Sequence, residues 1–176
     1  MAEQTPPGGE SLGPTPLDEY ERAVAAYTAA GGHETVQRLM TAMSRLNRRL
    51  DVAYRQQFAR LALSTGEWSV LSALAVGGAA GCTPSHLADV GGVSPSTMTH
   101  RLDGMAARGL IAKDVDAENR TRMRVVLTAA GRELFRQAVL AAETVEVRVL
   151  EPLSDTRQRQ LADLLEQVVA GLGRSS

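Results

Sequence analysis

Within eight residues, Ser94-Pro95-Ser96-Thr97-Met98-Thr99-His100-Arg101 carries four hydroxyls, one imidazole and one guanidinium. Hydroxyls in such a run hydrogen-bond phosphate oxygens or base edges, and a guanidinium forks onto guanine O6 and N7 or onto a phosphate. The imidazole adds a further ring nitrogen that can contact a phosphate or a base. Ser94 followed by Pro95 is a cap-plus-proline helix start, so Ser94, Ser96, Thr97, Thr99, His100 and Arg101 fall at the helix's N-terminal end. Val93, Met98, Leu102 and Met105 fall on its apolar side. The major groove accepts a helix with base-reading groups at its N-terminal end. A capped amphipathic helix of no special purpose shares part of this pattern, so the flanking elements decide.

Those elements are legible. Thr83-Pro84 repeats the cap-plus-proline device for a short helix from Ser85 to about Val90, stopped by Gly91-Gly92. The helix after Ser94 runs to Arg108, with Gly109 as a left-handed stop. Two short helices joined by a glycine-bearing turn form a helix-turn-helix pattern. Leu110-Ile111-Ala112-Lys113 then reads as a strand, 114–121 as a polar turn, and Arg122 to Leu127 as a second strand. This hairpin is the wing of a winged helix, and it is the only β structure expected. Arg120 and Arg122 at its tip suit a narrow A·T-rich minor groove, although solvent exposure alone also explains arginines there.

The remaining chain predicts helices. Residues 1–14 are Pro-, Gly-, Ser- and Glu-rich and read as a disordered tail. Thr15-Pro16-Leu17-Asp18 starts a helix to about Ala30. A long helix follows over 33–62, with Val36, Leu39, Met40, Met43, Leu46 and Leu50 on one stripe and a basic opposite face. Ser64-Thr65-Gly66-Glu67 is a capping box for the next helix. Thr128 caps a helix over 129–150, Pro152 breaks it, and Ser154 caps a last helix carrying Leu161, Leu164, Leu165, Val168 and Val169. The fold class is mainly α with a small β-hairpin wing. Its organisation is a tail over 1–14, N-terminal helices over 15–62, a winged helix-turn-helix over 63–128 and C-terminal helices over 129–176.

Composition bounds the function. The formal charge is −1, which excludes a polybasic protein and an acidic low-complexity chain alike. The average conceals unlike segments. Residues 1–32 carry one arginine against five acidic residues, a net of −4, whereas 94–136 carry eight basic against five acidic, a net of +3. Only 3% of residues are aromatic, so the core is expected to rest on Leu, Val, Ala and Met. The single cysteine, Cys82, forbids an intrachain disulfide and fits a reducing, cytoplasmic setting. No apolar run reaches membrane-span length, and the opening residues lack a signal peptide's basic start and apolar stretch. Cys82 and His86 stand one helical turn apart with Pro84 between them and only His33 and His100 besides, so no metal site is expected. No nucleophile–base pairing or phosphate loop points to an enzyme, and no cofactor is implied.

The run Val93-Ser94-Pro95-Ser96-Thr97-Met98-Thr99, Arg101-Leu102, Met105 and Arg108-Gly109-Leu110-Ile111 resembles the MarR family of bacterial transcriptional regulators. So do Asp116, Asn119-Arg120, Val125-Val126-Leu127-Thr128 and Gly131 after it, and the likeness spans roughly 33–172. The wing tip departs from the family's common Asp-Arg-Arg, reading Asn119-Arg120-Thr121, so only Arg120 maps cleanly. The resemblance implies a homodimer whose first and last helices interdigitate and whose recognition helices reach a palindromic double-stranded operator, about 34 Å apart. It also implies a repressor released by a small aromatic or anionic effector. Arg45, Arg48, Arg49 and Trp68 are the ligand-binding candidates, against the plainer readings of solvated or dimer-bridging arginines and a core tryptophan. The helix over 16–30 is similar to that of the family's urate-responsive branch, but offers Tyr20 and Tyr27 in place of its tryptophan. Two alternatives stand beside this reading: a redox-responsive regulator acting through Cys82, and a winged helix that mediates only protein–protein contact.

Overall fold

The protein is described from a computed structural model covering residues 15–115 and 123–172. Seven helices, one short 3-10 turn and one hairpin make up the described residues: α1 (Pro16–Ala29), α2 (Glu34–Ala59), α3 (Thr65–Gly77), the turn Gly78–Ala80, α4 (Pro84–Gly91), α5 (Pro95–Ala107), β1 (Ile111–Val115), β2 (Met123–Leu127), α6 (Ala129–Leu150) and α7 (Asp155–Leu172). The predicted tail at 1–14 and the wing tip with Arg120 and Arg122 lie outside the described residues. The chain divides into two compact units, Met1–Asp51 and Val52–Ser176.

Side-chain caps set most helix starts. Thr15, Ser64, Thr83, Ser94 and Thr128 each accept a hydrogen bond from the amide three residues on, satisfying a donor that a helix end leaves orphaned. At Thr15 and Ser64 the partner carboxylates, Asp18 and Glu67, return a bond to the cap amide and complete a capping box. Ser94-Pro95 and Thr83-Pro84 begin α5 and α4, and Gly92 and Gly109 take left-handed conformations after them. α7 starts after Ser154, and the Gln158 side chain turns back to donate to the carbonyls of Leu150 and Leu153, closing the end of α6.

In the first unit α1 and α2 are tied by polar contacts. Arg45 donates to the Glu19 carboxylate at 3.1 Å and to its carbonyl at 2.8 Å, and the Tyr20 hydroxyl donates to the Arg38 carbonyl at 3.3 Å. Val24 and Thr41 are buried there. The apolar residues Val36, Leu39, Met40, Met43 and Leu46 remain exposed.

The core of the second unit is built around Phe58, Leu71, Leu74, Leu87, Met98, Leu102, Met105 and Val125. Burying one such side chain contributes roughly 1.5–3 kcal/mol. The aromatics count for more than their 3% share implies. Tyr54, Phe58, Trp68 and Phe135 form a ladder with ring centroids 5.7, 5.1 and 5.4 Å apart, joining the end of α2, α3 and α6. Tyr54 ends it by donating to Glu146 at 2.7 Å. α7 buries no residue, and its stripe of Leu161, Leu164, Leu165, Val168 and Val169 is exposed.

β1 and β2 pair antiparallel, from Ile111 opposite Leu127 to Val115 opposite Met123. The hairpin is not the only β structure, contrary to expectation. Cys82 bridges Val125 with reciprocal backbone bonds of 3.0 and 2.8 Å, adding a third edge to the wing. Gly81 makes this approach possible, since a Cβ there would stand 2.5 Å from the Val125 carbonyl oxygen and its φ is +64°. Thr128 locks the other end of β2. Its amide donates to the Leu110 carbonyl, and its hydroxyl reaches the Gly109 and Leu110 carbonyls while capping α6.

Candidate nucleic-acid interface

α5 presents its polar residues as the spacing predicts. Ser94, Ser96, Thr97, Thr99 and His100 are exposed, while Met98, Leu102 and Met105 are buried. Their hydroxyls are not equivalent. Ser94 Oγ accepts the Thr97 amide at 3.2 Å and lies 3.0 and 2.8 Å from the hydroxyls of Ser96 and Thr97, so it is occupied in capping. Thr99 donates its hydroxyl to the Pro95 carbonyl at 2.9 Å. Ser96, Thr97 and His100 are the outward-facing groups with most left to offer an incoming phosphate or base.

Arg101 is half-buried rather than extended. Its guanidinium lies over Gly66 in the first turn of α3, where a Cβ would come within 2.6 Å of it, and its Nη1 approaches Gly91. No hydrogen bond or ion pair holds it among the described residues. Packing against Gly66 and Gly91 is what holds it in place. Neither the capping box around Gly66 nor the spacing of Arg101 signals this berth, because it joins residues 35 positions apart.

Three polar ties fix α5 and the wing, and none is legible from local spacing. Arg108 donates to Glu67 at 2.7 Å and to the Ala62 carbonyl at 2.8 Å, fastening the end of α5 to the start of α3. Lys113 on β1 pairs with Asp103 on α5. Arg124 on β2 donates to the Ala80 carbonyl at 2.9 Å. Glu67 serves both its cap and Arg108. Burial pushes its carboxyl up, but the Ser64 hydrogen bonds and the Arg108 charge outweigh that and leave it below its ordinary value of 4.5. A carboxyl depressed on folding stabilises fully above its unfolded value, and that stability is lost as pH falls through the folded one. Glu67→Gln should therefore lower stability by about 1 kcal/mol at neutral pH and by less below pH 4, as read by urea midpoints across pH. An unchanged difference at low pH would show that the ionised carboxylate contributes nothing.

Among the ligand candidates, Arg45 and Arg48 border a cavity between α1 and α2, and Arg49 is exposed outside its lining. Trp68 sits in the aromatic ladder of the second unit. Cys82 is buried, its thiol directed at the Ala73 carbonyl at 3.6 Å, and burial raises its pKa. A thiol held protonated is a poor nucleophile. No cluster of three metal-ligating side chains occurs among the described residues, and none of their helices is long and apolar enough to cross a membrane.

Residues 63–120 match a model of the MarR family. A MarR-family transcriptional regulator from Silicibacter pomeroyi shares 25% identity and superposes with a TM-score of 0.62, over 76% of this chain and 88% of that one. A MarR family protein of Mycobacterium tuberculosis in complex with p-aminosalicylic acid matches with 25% identity and a TM-score of 0.63, over 74% and 97% of the two chains. The winged-helix part of the chain is thus similar to MarR-family regulators. By this likeness α4 and α5 take the place of the helix-turn-helix and β1 and β2 that of the wing in a winged-helix fold. CouR from Rhodococcus jostii, bound to p-coumaroyl-CoA, is also similar, with 25% identity and a TM-score of 0.61 over 74% and 90% of the chains. No curated protein sequence matches the chain.

Proposed function

We propose that this regulator is a homodimeric repressor that leaves a palindromic operator when a small molecule binds. The observation that carries the reading is the N-terminal face of α5. Ser96, Thr97 and His100 are exposed beside the Arg101 guanidinium, in the segment that matches the family. In this role Ser94 and Thr99 shape the helix start while Ser96, Thr97, His100 and Arg101 meet DNA. Arg120 and Arg122 are assigned to the adjacent minor groove from the sequence.

Dimerisation is supported by the exposed stripes on α2 and α7, which a single chain leaves uncovered. Residues 15–62 and 129–176 then serve the dimer and 63–128 the DNA, in the cytoplasm. Effector control is supported by two similar proteins, which bind p-aminosalicylic acid and p-coumaroyl-CoA. The Cys82 alternative is weakened by burial of the thiol and the backbone bridge that holds its residue. A purely protein-binding winged helix has no use for the hydroxyl-rich face of α5. Gel-shift titration against the DNA flanking the chain's own gene tests the proposal, with sequence-dependent, salt-sensitive retardation expected. Retardation indifferent to sequence would overturn it.

A further inference from the structure

The end of α2 runs against its own backbone preference. The Leu63 amide donates to the Phe58 carbonyl at 3.0 Å and the Ala62 amide to the Ala59 carbonyl at 3.2 Å. These paired bonds close a helix when the residue after it turns left-handed, a place that glycine normally fills. Here it is Ala62, with a φ of +48°, and a left-handed alanine carries steric strain. Such strain persists only where neighbours hold it. One holder lies 46 residues away. Arg108, the C-cap of α5, donates Nη2 to the Ala62 carbonyl at 2.8 Å and Nη1 to Glu67 Oε1 at 2.7 Å. The other Glu67 oxygen accepts the Ser64 amide at 2.9 Å and the Ser64 hydroxyl at 2.8 Å, at the start of α3. A single guanidinium thus spans the corner after α2, the cap of α3 and the end of α5.

These bonds fix geometry more than they add stability. The Arg108 side chain is 39% exposed, and ion pairs so open to water contribute little. Two acceptors nevertheless leave the planar guanidinium one orientation. Ser96 stands twelve residues before Arg108, about 18 Å along the helix, so a tilt of about 5° at this end moves it by about 1.5 Å. That is enough to break a hydrogen bond to a base or a phosphate. We infer that Arg108 is a positioning residue for DNA reading. Without touching the nucleic acid, it latches α5 to the strained α2–α3 corner and sets the angle at which Ser96, Thr97 and His100 meet the groove. The inference rests on the regulator reading.

Gel-shift titration of the full-length protein at several salt concentrations tests it, on the DNA flanking the chain's own gene and on a scrambled duplex of the same composition. Arg108→Gln should weaken binding to the flanking DNA roughly tenfold and to the scrambled duplex by at most about twofold. The salt slope on the flanking DNA should keep its wild-type value. A slope smaller by about one would make Arg108 a phosphate contact and overturn the proposal. Ala62→Gly relieves the left-handed strain, so it should raise the thermal midpoint at unchanged affinity. Combined with Arg108→Gln, it should restore the midpoint while the affinity deficit remains. Recovery of affinity together with the midpoint would make Arg108 merely structural and overturn its positioning role. Equal losses on both duplexes, or wild-type affinity in Arg108→Gln, would also overturn it. If the wild-type protein fails to distinguish the two duplexes, the regulator reading falls and this proposal with it. Discrimination that survives in Arg108→Gln sinks the proposal alone.

Discussion

Gly131→Ala should destabilise the protein by about 3 kcal/mol, the largest effect expected of a single added methyl group. Gly131 begins α6 where that helix meets the end of α5, and an added Cβ would collide with the Leu110 carbonyl oxygen. That oxygen cannot step aside cheaply. It accepts the Thr128 amide at 3.1 Å and the Thr128 hydroxyl at 3.1 Å, the bonds that join the wing's two ends. Relieving the collision therefore breaks the clamp or tilts α6 off Leu110. Gly104→Ala is the matched control, for it lies inside α5 with nothing within 4 Å of the new Cβ. It should raise stability by up to about 1 kcal/mol, the helix-propensity difference. Urea midpoints of the two variants should move in opposite directions. A Gly131→Ala midpoint at the wild-type value would show that the close approach constrains nothing.

Arg101→Ala should weaken specific operator binding by about 1–3 kcal/mol, the usual worth of one good base contact. Its loss on random DNA should be much smaller, which separates base reading from phosphate attraction. Stability should fall little, since the guanidinium forms no hydrogen bond among the described residues and lies in packing contact with Gly66. Gly66→Ala provides the converse test. It leaves the arginine in place but removes its berth, so a change in operator affinity there measures what pre-positioning contributes. Equal losses on operator and random DNA for Arg101→Ala would reduce the residue to a phosphate contact.

What could be read in advance follows how local the physics is. Helix starts were legible because Thr15, Ser64, Thr83, Ser94 and Thr128 act on amides three residues away. The apolar face of α5 was legible for the same reason: Met98, Leu102 and Met105 recur at helical spacing and all are buried. The Cys82–Val125 bridge was not, because its partners are separated by two helices and a strand. Gly131 was visible as a family-like glycine but not as a steric necessity, which arises only once Leu110 is folded beside it. The candidate contact residues fall on α5 at the helical spacing expected, yet the bonds they already make were only half legible. Sequence cannot show that Thr99 bonds back to Pro95 or that Arg101 rests on Gly66.

Footprinting on the DNA beside the chain's own gene tests the central claim most directly. Two protected half-sites of inverted sequence, centred about one helical turn apart, should appear at the same protein concentration. Their protection should weaken steeply with added salt. A single unpaired protected site, or uniform protection that follows no sequence, would contradict a dimeric operator-binding regulator.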